Sequence, residues 1–524
     1  LYKIGIAFYD RAFEHDIYEL IRAFFPGEEF VSLFPGDEGS GRGTAPSGDL
    51  PEDFDYYFEA RSTRDAFTIT CRAGERCLSA SAPRTDGPER YFSSPEVLHR
   101  SLTLEERIAR HDVRKVNKDA LKASLYGLLS ELTGRTLPWG NLTGIRPAKL
   151  ASLMLEEGKS DSDIIRQFTD GYFASEGKAS LALSIAHREK EVLSSFDYKN
   201  GYSLYIGIPF CPSICLYCSF SSYPLAAWKK RVDEYLDALI REMYAVSALM
   251  KERGRPLHTI YIGGGTPTTL EGEELTRLLS AVEDAFDLGT VREFTVEAGR
   301  PDSITPEKLK AIRRFPVTRL SVNPQTMNAE TLKIIGRAHT PEDTLRAFYE
   351  AREAGFDDIN MDLIVGLPGE GLPEVERTLS EIEKLSPENL TVHSLAVKRS
   401  ARLNIFRDEY KEMTFENSQE ILDRASQSAA AMGMSPYYLY RQKNMKGNFE
   451  NVGYARAGRA GIYNILIMEE RQSILALGAG GASKLVLREG QQIERVENVK
   501  DVAAYISRVD EMIDRKRCAL DKYL

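Results

Sequence analysis

Ser203-Leu-Tyr-Ile-Gly-Ile208-Pro-Phe-Cys211-Pro-Ser-Ile-Cys215-Leu-Tyr-Cys218 carries a β-rich run directly into three cysteines spaced C-x3-C-x2-C. The run predicts a strand, and the proline and cysteines after it predict a loop. Five further β-rich runs follow, at His258 to Ile262, Glu293 to Ala298, Thr318 to Asn323, Asp358 to Val365 and Asn389 to Val397. Amphipathic stretches of helical period separate them: Val232 to Met250, Leu275 to Phe286, Pro306 to Arg314, Ala329 to Ile335 continued by Thr344 to Ala354, and Glu374 to Leu385. Strands alternating with helices predict a parallel sheet, because right-handed crossovers return the chain to the same sheet and curl it toward a barrel. The expected fold class is α/β: a partial (βα)6 TIM-like barrel with an N-terminal α/β plus helical region and a C-terminal α+β domain. The expected division is an N-terminal accessory region over 1–195, the partial barrel over 196–400 and a C-terminal domain over 401–524, the last boundary falling near Arg399.

In a barrel of this kind the loops after the strands form the functional face. The cysteines follow the first strand and Gly263-Gly264-Gly265-Thr266-Pro267 follows the second. Glu297 ends the third, Asn323-Pro-Gln325 follows the fourth, Asp362 lies in the fifth and His393 in the sixth. Six landmarks at one end predict a single site.

Composition narrows the class. With 524 residues, 42% hydrophobic and 28% charged, the chain reads as folded and multi-domain rather than disordered. Sixty-eight basic against 78 acidic residues give a net charge of −10, which supplies no global positive field for nucleic acid. No apolar run approaches the roughly 18 residues of a membrane span, and the opening residues lack the pattern of a signal peptide, so a cytoplasmic location is expected. Three of the six cysteines crowd into eight residues while Cys71, Cys77 and Cys518 are scattered, a distribution that suits metal binding better than disulfides.

Thiolates are soft ligands for zinc or for iron–sulfur clusters. Structural zinc takes four ligands, and no fourth Cys or His lies within about twenty residues. Three thiolates on a four-iron cube leave one iron open, where S-adenosylmethionine can chelate through its amino and carboxylate groups and undergo reductive cleavage. A zinc knuckle completed from a distant segment is the competing reading.

Tyr205-Ile-Gly-Ile-Pro-Phe-Cys211 through Phe220, Gly263 to Thr268, and Asn360-Met-Asp362-Leu-Ile-Val-Gly366-Leu-Pro368-Gly369 resemble the oxygen-independent coproporphyrinogen III oxidase group of radical S-adenosylmethionine enzymes. Phe294 to Asp302, Ser321 to Thr326 and Ala476 to Lys484 look most like its HemZ-type, coproporphyrinogen dehydrogenase-like branch. The resemblance implies a [4Fe–4S] cluster on Cys211, Cys215 and Cys218. It places bound S-adenosylmethionine among Tyr205, Tyr217, Gly264, Gly265, Thr266, Glu297, Gln325, Arg337 and Asp362. In that reading the glycines admit the methionyl amino group, Arg337 pairs with the cofactor carboxylate or with Glu297, Asp362 accepts from the ribose, and Tyr217 packs on the adenine. His393 and His339 are read as structural histidines.

The implied function is oxidative decarboxylation of coproporphyrinogen III propionates to vinyl groups in haem biosynthesis, with a tetrapyrrole substrate and an electron donor such as a flavodoxin or ferredoxin. Three departures qualify it. Gly207 stands where the oxidases have His, Phe220 where they have a fourth Cys, and Tyr463-Asn464 where the related haem chaperones have His-Asn. The alternatives are a haem-binding or haem-delivery protein and a radical enzyme that methylates and opens haem.

Overall fold

The computed structural model describes residues 2–11, 13–35, 53–85, 104–143, 146–220, 222–398, 400–406, 409–410, 413, 415–442, 449–490 and 492–524. Arg399 lies outside the described residues. The chain forms two compact units, one of residues 1–145, 159–180 and 446–449, the other of residues 146–158, 181–445 and 450–524.

The first unit is built on a five-stranded sheet ordered β2-β1-β3-β4-β5, from β1 (Lys3–Phe8), β2 (Glu29–Leu33), β3 (Tyr56–Ser62), β4 (Ala66–Ala73) and β5 (Arg76–Pro83). The first three pair in parallel and the last three antiparallel. Ile17, Leu20, Ile21 and Phe24 form the buried stripe of the Glu14–Phe24 helix and join Leu121, Leu125 and Leu129 of the Leu104–Thr133 helix in one core. Their spacing of three and four residues is that of one helix face.

The second unit contains the predicted series. Its strands are β6 (Tyr202–Ile208), β7 (Phe210–Cys211), β8 (Tyr223–Pro224), β9 (Leu257–Gly264), β10 (Glu293–Gly299), β11 (Arg319–Val322), β12 (Ile359–Val365) and β13 (Asn389–Ser394). They are followed by β14 (Ser435–Tyr440), β15 (Asn451–Ala455), β16 (Ser473–Leu477), β17 (Ala482–Leu487) and β18 (Gln492–Glu497). Strands β6, β9, β10, β11, β12 and β13 lie side by side in chain order, all parallel. The fold is therefore the expected α/β series of six strands. Residues facing either side of these strands are buried, as a parallel sheet covered by helices requires. Capping boxes, Glu271 with Glu274 and Thr340 with Asp343, start two of the intervening helices, the second with Pro341 in its first turn.

Residues after 400 do not form the separate domain expected of them. They complete the same sheet, whose order is β14-β15-β13-β12-β11-β10-β9-β6-β16-β17-β18. β16 adds to β6 in parallel, β17 and β18 continue antiparallel, and β15 and β14 close the other side antiparallel to β13. A six-strand open sheet has two edges of unpaired backbone groups, and the C-terminal strands satisfy both. The apolar run Ile462 to Met468 lies in a helix, Ile462–Glu469.

A buried polar cluster fastens this addition. Glu242 accepts hydrogen bonds from Lys516 Nζ at 2.7 Å, Asn498 Nδ2 at 2.8 Å, Tyr505 Oη at 2.7 Å and the Gly478 amide at 2.9 Å. Lys516 and Glu242 are 1% and 0% exposed, so every donor serves an otherwise uncompensated charge. Tyr235 Oη donates to Gly207 O at 2.6 Å and accepts from the Ala479 amide. The glycine-rich loop after β16 is thus pinned against the end of β6.

Candidate active site

The cysteine loop leaves β6 through Pro209 and is closed at its neck, where Phe210–Cys211 pairs with Tyr223–Pro224. The glycine loop after β9 lies directly on it: the Gly265 amide donates to Ile208 O and the Thr266 amide to Phe210 O, both at 2.7 Å. This contact explains two glycines. A Cβ on Gly265 would lie 2.5 Å from Phe210 O, and Gly264 has φ +113° with its Cβ position 3.0 Å from Ile208 O. The loop's far side is held by Ser213 Oγ donating to Gly336 O at 2.8 Å and the Leu216 amide donating to Ile335 O at 2.9 Å.

All three thiols have donors near them, Cys218 from the Phe220 amide and the Ser222 hydroxyl. Thr266 Oγ1 donates to Cys211 Sγ at 3.6 Å, and Arg300 Nη1 donates to Cys215 Sγ at 3.8 Å. Donors aimed at sulfur stabilise thiolate and tune an attached cluster. Arg300 was not singled out from sequence. Its aim is set by a bidentate pair with Asp302, at 3.0 and 2.7 Å, and by Ser213 O and Oγ at 3.1 and 2.8 Å. Because the same guanidinium grips Asp302 and the cysteine loop, it locks the end of β10 to the ligand loop.

The remaining predicted residues surround the same space. Gln325 sits in the left-handed region, φ 69°, which a non-glycine residue seldom adopts outside a constrained site. Its amide donates to Asp362 O at 3.0 Å and its carbonyl accepts from Ile364, while Oε1 is buried without a partner. Asn323 Oδ1 is likewise unpartnered. Arg337 Nη1 donates to Asn323 O at 2.7 Å and Nη2 to Tyr217 Oη at 3.2 Å, leaving Nε without a partner. Arg337 is therefore engaged by Tyr217 rather than by Glu297, and Tyr217 acts here as its acceptor.

Glu297 accepts from Tyr261 Oη at 2.5 Å. Burial pushes its carboxyl up to about 7, and the nearby Asp362 charge adds to this. Asp362 moves the other way: burial opposes ionisation, but His393, Asn360 and Thr391 outweigh it and hold the carboxyl below its usual value. Asn360 Nδ2 donates to Asp362 Oδ1 at 2.8 Å, His393 Nε2 lies 3.8 Å from Asp362 Oδ2, and Tyr440 Oη is 3.2 Å from His393 Nδ1. Two carboxylates in one space are thus set apart in acidity.

All twelve predicted residues, Cys211, Cys215, Cys218, Tyr205, Tyr217, Gly264, Gly265, Thr266, Glu297, Gln325, Arg337 and Asp362, line one cavity of about 510 Å³. His393 lines it too, whereas His339 is buried beside Asp302. The sequence reading missed its aromatic wall. Tyr205 stacks on Tyr261 at 6.2 Å and Tyr261 on Tyr463 at 4.6 Å, while Tyr438 stacks on Tyr440 at 6.3 Å. The cavity also presents Lys398 at its exposed side, 5.9 Å from the Phe220 ring.

The donor set fits a cluster with a chelated cofactor. Three cysteines from one loop face a cavity that also offers unpartnered buried acceptors and donors on Gln325, Asn323 and Arg337. Among the described residues no three Cys, His, Asp or Glu side chains converge on a single-ion position. A four-iron cube is larger than one ion and accepts thiolates on separate irons.

The radical SAM superfamily matches this chain over residues 205–382, which span the cysteine loop and the strands that carry the rest of the cavity. Oxygen-independent coproporphyrinogen-III oxidase-like protein HemZ of Bacillus subtilis is 42% identical over 401 residues, 76% of this chain and 80% of that protein. The chain belongs to the radical SAM superfamily and, within it, to the HemZ family. Haem chaperone HemW of the same organism is 41% identical over 197 residues, 37% of this chain and 51% of that one, so the match spans about half the chaperone. Coproporphyrinogen III oxidase (HemN) of Escherichia coli, a solved structure, is 24% identical over 60% of this chain and 71% of that chain, with a TM-score of 0.48. Members of the superfamily use a [4Fe–4S] cluster and S-adenosylmethionine. No helix among the described residues is long and apolar enough to cross a membrane.

Proposed function

We propose that this protein is an oxygen-independent enzyme that converts propionate side chains of coproporphyrinogen III to vinyl groups. The observation that carries the reading is the meeting of three loop cysteines, two carboxylates of divergent acidity and a wall of tyrosines around one cavity. The name of the HemZ relative, aligned over most of both chains, supports the same substrate class.

Bound on Cys211, Cys215 and Cys218, the cluster with S-adenosylmethionine supplies a reactant able to take a hydrogen atom from an unactivated carbon. The chain's own work is positioning. Gln325 Oε1, Asn323 Oδ1 and Arg337 Nε are the unpartnered groups available to the cofactor's amino acid end. Asp362, held ionised by His393 and Asn360, is suited to accept from ribose hydroxyls. Glu297, ionised only above about pH 7 until a cation pairs with it, is suited to the methionyl ammonium. Tyr205, Tyr261, Tyr463, Tyr438 and Tyr440 offer flat apolar faces to a tetrapyrrole. Lys398, exposed and beside the Phe220 ring, is a cation suited to meet a propionate. In the net step the propionate β-carbon loses a hydrogen atom, the carboxylate leaves as carbon dioxide, and one electron passes to an acceptor outside this chain.

A second reading, haem binding or delivery, rests on the HemW relatives. Against it, the position of the expected histidine is Tyr463, buried and stacked on Tyr261. The deciding experiment is anaerobic reconstitution followed by mass spectrometry after incubation with coproporphyrinogen III or with haem. Vinyl products and carbon dioxide are expected from the first. An intact cluster that forms 5′-deoxyadenosine yet alters neither tetrapyrrole would overturn the substrate class.

A further inference from the structure

A second cavity, about 230 Å³, opens in the same compact unit at the opposite ends of the strands. Tyr198, just before β6, and Arg471, just before β16, border it. Leu155, Ala186 and Leu193 make an apolar wall. Glu189 and Glu469 line it as well, 2% and 1% exposed, and none of their four carboxylate oxygens has a hydrogen-bond partner.

Buried carboxylates without donors are costly, and two together more so. Burial and the Glu469 charge push the Glu189 carboxyl well up, against Arg471 and Ser152; burial pushes Glu469 up to about 7, against Arg471, Lys149 and Arg146. The surrounding cations relieve them only in part, being engaged elsewhere. Arg471 Nη2 pairs with Glu156 at 2.7 Å; Arg146, Lys149 and Lys484 pair with Glu470 at 2.7, 3.6 and 3.7 Å; Lys190 is exposed. The Ser152 hydroxyl stands nearby and favours ionised Glu189, yet none of the four oxygens is in hydrogen-bond geometry with a donor.

We propose that this cavity binds a small aliphatic amine, its ammonium held between Glu189 and Glu469 and its hydrocarbon chain laid along Leu155, Ala186 and Leu193. An ammonium brings three N–H donors, and four vacant oxygens receive them. A hard divalent cation suits the site less well. It takes six or more oxygens, and among the described residues no three acidic or histidine side chains converge on one ion position. The apolar wall also has no part in binding a hydrated ion.

The test is calorimetric titration of the reconstituted enzyme with putrescine and with n-butylamine, at pH 8 and pH 5.5. One saturable site is expected, at least tenfold tighter at pH 8, where the carboxylates carry more charge than at pH 5.5 and the amines stay charged. Glu189→Gln and Glu469→Gln should each weaken it at least tenfold. Ser194→Trp, a change at an exposed residue on the cavity rim, should block it while leaving both carboxylates in place. Absence of saturable binding, equal binding by the glutamine variants and the wild type, or carboxylate-dependent binding of magnesium without any response to the amines would each overturn the proposal.

Discussion

At the scale of single residues, the site divides into groups that hold and groups that tune. Cys215→Ser removes a thiolate and strands the Arg300 donor; iron and sulfide analysis should show loss of most of the cluster, and formation of 5′-deoxyadenosine should fall at least tenfold. Glu297 makes a signed pH prediction. Its folded value, about 7, lies above the ordinary 4.5, so the fold favours the protonated form and loses stability as pH rises from about 4.5 through 7. From denaturant unfolding of the cofactor-free protein, Glu297 should therefore contribute a fall in unfolding free energy of about 1–3 kcal/mol between pH 5 and pH 8, the full shift being discounted because the group faces an open cavity. The fall should be smaller in the Glu297→Gln variant, the remainder coming from Glu469 and Glu189. Residues of this kind differ in how legible they are from sequence. Cys211, Cys215 and Cys218 declare themselves by spacing alone. Arg300 does not, because its role depends on Asp302 turning it toward a loop 85 positions earlier. Tyr261, Tyr438 and Tyr440 do not either: they are three of 25 tyrosines, and only the strand registers show that their rings face one space.

At the scale of elements, the site depends on loops packed backbone to backbone. Gly265→Ala would drive a methyl into Phe210 O, so the glycine loop must withdraw from the cysteine loop; a loss of about 1–3 kcal/mol is expected from thermal unfolding, with lower cluster occupancy. The closing helix Val509–Tyr523 is joined to Val232–Glu252 by the buried Lys516–Glu242 pair. Lys516→Met leaves Glu242 buried without its cation and should cost about 3–5 kcal/mol. Adding Glu242→Leu should recover part of that, since a well-packed apolar pair substitutes for a buried ion pair more easily than half of one does. Both values follow from chemical denaturation. The strands and helices of this unit are legible because β-rich runs and helical periods alternate cleanly between 202 and 394. The Ile462–Glu469 helix is not, because its apolar run lacks a polar face to reveal the helical period.

At the scale of the whole molecule, residues 146–158 and 181–195 join the unit of the barrel rather than the accessory region, and the last boundary fails too, for a reason local pattern cannot disclose. Strand partners are chosen by edge satisfaction, and β16 takes the place beside β6. A chain truncated before Ser473 should accordingly fail to stay monodisperse, because the edge of β6 becomes open for pairing with other molecules; size-exclusion chromatography at equal concentration measures this. The same arrangement reaches into synthesis. Ser203 and its hydrogen-bond partner Gln472 stand 269 residues apart, so a ribosome moving at 5–20 residues per second needs roughly 13–54 s to deliver the second after the first. Throughout that interval the strand leading to the cysteines waits with one side uncovered. Cluster insertion is expected to follow the pairing of β16 with β6, and cells that slow elongation should accumulate nascent chains that engage chaperones before they acquire iron.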